Sequence, residues 1–158
     1  MFREIRRKKN ELNFEEVKVL LKTAKRGVLA INSEDGYPYG LPINYFYDEE
    51  NNKIYFHSSK VGYKVDLLEK SNKVSFTVLG NEIIKEETWA PYVQSVIVFG
   101  KCHPIKDDNK ALDAIYKLAL KYYPNKEMVD EEVKQAFKAV QMYEIEIEHA
   151  RGKQVHER

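Results

Sequence analysis

Gly36-Tyr37-Pro38-Tyr39-Gly40-Leu41-Pro42-Ile43-Asn44-Tyr45 reads as a strand that proline interrupts twice. Asp35-Gly36 is a strong hairpin signal, and Val28-Leu29-Ala30-Ile31 upstream supplies the hairpin's first arm. The returning arm is expected over 37–47. Pro38 and Pro42 bring no amide hydrogen to a ladder, so this arm is an edge, is bulged, or is broken at a site. Further along, Tyr55-Phe56-His57-Ser58-Ser59-Lys60-Val61-Gly62-Tyr63-Lys64 is a strand that runs into a small, polar, basic loop. Together the two segments offer a flat apolar wall and a phosphate clamp.

The flanking elements follow from local signals. Asn13 with Glu16 has the form of a capping box and predicts a helix over 14–25, with Val17, Leu20, Leu21 and Ala24 as its apolar stripe. A polar turn over 48–52 leads to a strand over 53–58. Val61, Val65 and Leu68 have helical spacing, so a helix is expected over 61–70. Val74, Phe76 and Val78 alternate, giving a strand over 73–79. The stretch 82–91 is charged and irregular. A strand follows over 95–99, with 100–103 as its continuation. A helix capped by Asp107 ends before Pro124, a short helix is expected over 131–137, and a last strand over 142–147. Helices do not alternate with strands, which excludes a doubly wound parallel sheet and favours a closed or partly closed antiparallel barrel with peripheral helices.

A chain of 158 residues fits one domain with a real core: an arm and helix over 1–26, a barrel over 27–149 and a tail over 150–158. Apolar residues at 43% and charged residues at 32% describe a folded chain, and a net charge of +1 gives no general attraction for polyanions. The basic cluster Arg3, Arg6, Arg7, Lys8 and Lys9 is read as a solvated arm, so no nucleic-acid partner is expected. Tyrosine occurs 11 times, which serves strand formation and suits pocket walls and interfaces. Cys102 is the single cysteine, so no internal disulfide forms. The basic start runs into Asn10-Glu11 rather than an apolar run, and no stretch approaches the ~18 apolar residues of a membrane helix. A cytoplasmic protein without a membrane partner is the expectation.

Much familiar chemistry is missing. His57, His103, His149 and His156 do not stand at metal-ligand spacing, and Cys102 beside His103 is not a zinc pattern, so no metal is expected. There is no nucleophile elbow, P-loop or dinucleotide fingerprint. What remains is the loop and the proline strand. Ser58, Ser59 and Lys60 offer hydroxyls and charge, Gly62 permits close backbone approach, and Lys64 stands at a helix start; this is a phosphate site or a plain turn. In the strand, Pro42 and Asn44 free polar groups to read a ring edge, or the prolines only protect an edge.

These residues, taken in order with Ile54 and Asp66 at the ends of the second segment, with Ser95-Val96-Ile97-Val98-Phe99-Gly100-Lys101, and with Ile145-Glu146-Ile147-Glu148-His149 before Gly152-Lys153-Gln154, resemble the pyridoxamine 5'-phosphate oxidase-like superfamily. Within it they are most similar to the nitroimidazole-resistance (Nim-type) flavin-binding split barrels. The resemblance implies a mainly β (α+β) fold, a six-stranded antiparallel split β-barrel, and a homodimer that binds FMN between its subunits. By position, Lys64 would pair with the FMN phosphate, and His57 and Ser58 would contact it nearby. Leu41, Pro42, Ile43 and Asn44 would run along the isoalloxazine ring, and Ser95 would approach from the partner subunit. Tyr63 stands where these relatives often carry a histidine, so no catalytic residue is assigned. The ending Lys153-Gln154-Val155-His156-Glu157-Arg158 lacks the arginine- and tryptophan-containing segment of true pyridoxamine phosphate oxidases, so vitamin B6 oxidation is not expected.

The activity implied is electron transfer from a nicotinamide or another reductant to a small acceptor such as a nitroaromatic. Tyr45, Trp89 and Tyr92 are candidates to line the acceptor space, with core or dimer packing as the other reading. Two further functions stay open: a non-catalytic flavin sensor or store, and a haem binder using His57 or His149.

Overall fold

The computed structural model describes residues 1–87 and 89–157. The stretch 82–91 and the tail 150–158 each include one residue outside that set, Thr88 and Arg158. Helix α1 (Phe14–Thr23) opens on the expected capping box: Asn13 Oδ1 accepts from the Glu16 amide at 2.9 Å, and Glu16 Oε2 accepts from the Asn13 amide at 2.8 Å. It ends at Ala24, sooner than its composition suggests, because strand β1 (Arg26–Asn32) begins at once.

β1 pairs antiparallel with β2 (Pro38–Asn44), Asn32 opposite Pro38 and Arg26 opposite Asn44. The single strand expected over 37–47 is two strands. β2 stops at Asn44, and β3 (Phe46–Asp48) starts one residue later against β4 (Lys53–Ser59). Then come α2 (Tyr63–Lys70), β5 (Lys73–Leu79), β6 (Ile83–Ile84), β7 (Pro91–Pro104), α3 (Asp108–Tyr122), α4 (Lys126–Ala136) and β8 (Val140–His156).

The sheet runs β2-β1-β5-β7-β8-β4-β3, with β6 on β7, and every pairing is antiparallel. β2 and β3 are the two ends of this order, yet only Tyr45 separates them in the chain. The sheet's edges therefore meet at Tyr45 and curl it into a half-barrel. Among the described residues there are eight strands rather than six, since the proline strand divides at Tyr45 and β6 adds a two-residue pair.

Leu29, Ile31, Ile43, Phe56, Phe76, Val96, Val98 and Ile145 fill the concave side with Val17, Leu20 and Leu21 of α1 and Leu67 of α2. Outside the sheet, α3 and α4 bury Ala114, Ile115, Leu118, Val129 and Val133 against Tyr55 of β4 and Met142 of β8. β4 is thus covered on both faces, and His57 lies outward where the helical cover ends. α4 begins five residues before the expected 131 because Asn125 caps it, its side chain accepting from the Met128 amide at 2.9 Å. β7 and β8 outrun their predicted spans. They pair from Tyr92–His156 to Pro104–Tyr143, and a bulge at Phe99/Gly100 shifts the register, which breaks the alternation a sequence reading relies on.

Candidate functional site

β2 alternates. Tyr39, Leu41 and Ile43 turn toward the core, while Pro38, Gly40, Pro42 and Asn44 face out. Across the ladder, Arg26 stands opposite Asn44. Closure at Tyr45 brings this corner toward β4 and α2, so that Arg26, Pro42, Ile43, Asn44, His57 and Lys64 line one groove of about 360 Å³. The proline strand and the lysine of the serine–lysine segment therefore meet in one place.

Gly62 precedes α2 with φ of 135°, a conformation that L side chains rarely adopt, and this bend delivers Lys64 into the groove. The Lys64 ammonium lies 5.9 Å from the Phe56 ring centre, and burial lowers its pKa from the ordinary value. His57 is also shifted down. Burial contributes most and the Lys64 ammonium next, with Glu132 pulling the other way, even though the ring meets solvent. Among the described residues, neither Arg26 nor Lys64 has a carboxylate within ion-pair distance. Two cations without anionic partners, a side-chain amide and an imidazole form a donor set suited to phosphate and to a polar ring edge.

The last turn of α3 fixes this corner. Lys121 Nζ donates to the carbonyls of Ala24 at 2.7 Å and Tyr45 at 3.0 Å, and lies 3.8 Å from the Tyr45 ring centre. The Tyr122 hydroxyl accepts from the Tyr45 amide at 2.9 Å and sits 2.6 Å from the Lys25 carbonyl oxygen, to which it donates. The clamped residues Lys25 and Tyr45 are the chain neighbours of Arg26 and Asn44. Burial pulls the Lys121 pKa down to about 8. Below that pH the ammonium is charged in both folded and unfolded chains, and its burial cost is fully present. Between 8 and its ordinary 10.5 the unfolded chain binds more protons, so stability rises with pH. The urea midpoint, taken relative to that of Lys121→Met, is expected to climb across this window. Parallel pH profiles for the two proteins would remove Lys121 from the account.

The other candidates lie elsewhere. Ser58 is 5% exposed and points inward with Phe56, and Leu41 packs against the core. Tyr45 is wholly buried, its hydroxyl donating to the Leu21 carbonyl at 2.6 Å and its ring edge-on to Phe76 at 4.8 Å; it is a core residue and faces no open acceptor space. Trp89 is exposed. Tyr92 stacks on His156 at 4.4 Å, beside the N-terminal arm. Ser95 sits on β7, opposite Leu79 and Lys153. None of these six lines the groove. Tyr63 meets Tyr39 edge-on at 4.9 Å, and His149 stacks on Phe2 at 4.7 Å. Cys102 is buried, and burial pushes its thiol up to about 12, out of nucleophilic range. Among the described residues no group of three or more His, Cys, Asp or Glu could hold a metal, and no helix is long and apolar enough to cross a membrane.

Sequence reading missed Arg26: counting back from a two-residue Asp35-Gly36 turn sets it opposite Tyr45, and it is the observed loop over 33–37 that places it opposite Asn44. It also missed the neighbouring slot of about 260 Å³ beneath α3 and α4, which shares Asn44 and His57 with the groove. No local signal marks that slot, because its walls are ordinary helical apolar residues.

Residues 13–154 match the family described as pyridoxamine 5'-phosphate oxidase. No match arises among curated proteins. Among solved structures, the chain is similar to a candidate 5-nitroimidazole antibiotic resistance protein from Bacteroides thetaiotaomicron, with 19% identity, 92% of this chain and 87% of the other covered, and a TM-score of 0.78. It is similar to a FAD-binding protein from Mesorhizobium loti, with 21% identity, 92% and 96% covered, and a TM-score of 0.64. It is also similar to a FAD and heme binding protein from Mycobacterium smegmatis, with 17% identity, 89% and 70% covered, and a TM-score of 0.71. At these identities the likeness carries the fold, a split barrel.

Proposed function

Since this chain belongs to the pyridoxamine 5'-phosphate oxidase family, we propose that it is a flavoprotein that holds a flavin mononucleotide unit in the groove between β2, β4 and α2. The observation that supports this most is the convergence of Arg26, Asn44, His57 and Lys64 on one space, with neither cation paired to a carboxylate among the described residues. Lys64 and Arg26 bind the phosphate. Asn44 reads the polar edge of the ring, and Pro42 gives it a flat neighbour. His57, held below its ordinary pKa, is a neutral imidazole at neutral pH and offers one donor and one acceptor. The bound flavin supplies the redox chemistry, and the protein's part is to bind, orient and limit access. The activity proposed is electron transfer from a nicotinamide or another reductant to a small acceptor, a nitroaromatic being suggested by the resistance protein of like fold.

A second copy of the chain completes the site in this reading. Val28, Leu79, Ile97 and Phe99 are all exposed on neighbouring strands of the sheet's outer side, at 45%, 66%, 42% and 41%. Ser95 shares that face of β7. Exposed apolar side chains gathered on one sheet face, with Thr77 in register between Val28 and Ile97, suit a subunit interface better than water. The purified protein is expected to be yellow, with a flavin spectrum, and to run as a dimer. Oxidation of NADH or NADPH in the presence of a nitroaromatic separates an oxidoreductase from a flavin store. A colourless protein that takes up no added flavin would end the proposal, and a monomer that retains flavin at full affinity would end its dimeric part.

A further inference from the structure

The slot beneath α3 and α4 has no task in the reading above. We propose that it receives the nucleoside end of a dinucleotide flavin, whose phosphates lie in the groove; this rests on the flavin reading of the groove. The two spaces are neighbours, since Asn44 and His57 line both. A ligand leaving the cations of the groove therefore meets the slot next.

The chemistry changes along that path. The groove presents Arg26 and Lys64. The slot presents apolar walls from Leu118, Ala119 and Val133, the rings of Tyr122 and Tyr123, and the carboxylate of Glu132. An acidic side chain repels a phosphate and accepts a hydrogen bond from an amino group. Tyrosine rings and aliphatic walls suit a flat heterocycle. The ligand that fits both spaces is anionic in the middle and carries a planar, neutral, amino-bearing group at its end, which describes adenine. A flavin that stops at its first phosphate leaves the slot of about 260 Å³ unused.

The closure at Tyr45 also makes the slot a fixed feature. Tyr122, which lines it, is tied to Lys25 and Tyr45 by its hydroxyl. The slot is therefore shaped before a ligand arrives, and filling it costs little reorganisation.

Apoprotein titrated with FMN and with FAD, followed by quenching of flavin fluorescence, tests this. FAD is expected to bind at least about tenfold more tightly than FMN. Ala136→Trp places a bulky ring in the slot from the end of α4, where Ala136 is half-buried. It is expected to remove the FAD advantage and leave FMN affinity within about twofold. Glu132→Gln, at an exposed position, is expected to weaken FAD alone. Tight and equal binding of FMN and FAD to the unaltered protein would overturn the slot's assignment and leave the flavin reading standing. So would equal losses for both flavins in these variants. Binding of neither flavin would overturn both.

Discussion

Lys64→Ala is expected to weaken flavin binding by about 1.5–3 kcal/mol, roughly ten- to a hundredfold in affinity. The size follows from where the ammonium sits. It is half-buried at the start of α2, among the described residues it has no carboxylate partner, and burial already presses its pKa down. A charge held in such surroundings interacts more strongly with an arriving anion than one bathed in water. Arg26 faces the same groove from an exposed position, so Arg26→Ala is expected to cost less. The folded apoprotein gives the control. Removing a partly desolvated cation that lacks a partner relieves the native state, so the melting temperature of flavin-free Lys64→Ala is expected to be no lower than that of the parent. Lys64→Met keeps the aliphatic stem above Phe56 and separates charge from packing. Isothermal titration of the three variants checks the order. An unchanged Kd in Lys64→Ala would take this lysine out of the binding site, and a large drop in apoprotein stability would make its role structural.

The groove was legible in part because its two segments break local rules in opposite ways. Pro42 has no place in a central strand and advertises an edge; His57-Ser58-Ser59-Lys60 ends a strand on polar residues; Gly62 permits a bend. The alternation of β2 was equally readable, and it would have sorted Pro42 and Asn44, which face out, from Leu41 and Ile43, which turn in. Ser58 follows the same parity on β4 and is buried beside Phe56's face of the strand. What local reading could not give was the closure. Nothing in Asn44-Tyr45-Phe46 says that the chain leaves one sheet edge and joins the other there, because that depends on the pairings of β1, β5, β7, β8 and β4 in between. The position of Tyr45 depends on the same closure. A tyrosine suits a pocket wall and a core equally, and only the tertiary position of Tyr45 decides between them.

Strand lengths were lost differently. Beyond the strand expected over 142–147, β8 carries Arg151 and Lys153 in a stretch read as a tail over 150–158, yet its long antiparallel partner β7 holds it extended to His156. The bulge at Phe99/Gly100 adds a residue to one side and ends the regular alternation where the prediction stopped. Tertiary pairing overrode composition along the whole of that ladder.

Tyr45→Ala is expected to destabilise the protein by about 3–5 kcal/mol, the cost typical of removing a fully buried aromatic ring. This residue joins three systems. Its ring packs edge-on to Phe76 in the barrel, its hydroxyl donates to the last turns of α1 at Leu21, and its backbone is held by Lys121 and Tyr122 of α3. Losing the side chain opens a cavity where the two sheet edges meet and removes the ring beneath the Lys121 ammonium, 3.8 Å from its centre. Tyr45→Phe keeps the ring but leaves the Leu21 carbonyl without its hydroxyl donor, at about 1–3 kcal/mol. Denaturant unfolding orders the parent, Tyr45→Phe and Tyr45→Ala. Flavin titration at a temperature where all three are folded then reports on the site. Because Asn44 precedes Tyr45 and Arg26 pairs across from Asn44, loosening this corner is expected to weaken flavin binding in Tyr45→Ala even though the side chain never reaches the groove. Tyr45→Phe leaves the backbone clamp in place and is expected to bind as the parent does. A Tyr45→Ala protein as stable as the parent would mean that the half-barrel closes without this residue, and parent-like affinity in a destabilised Tyr45→Ala would uncouple the closure from the groove.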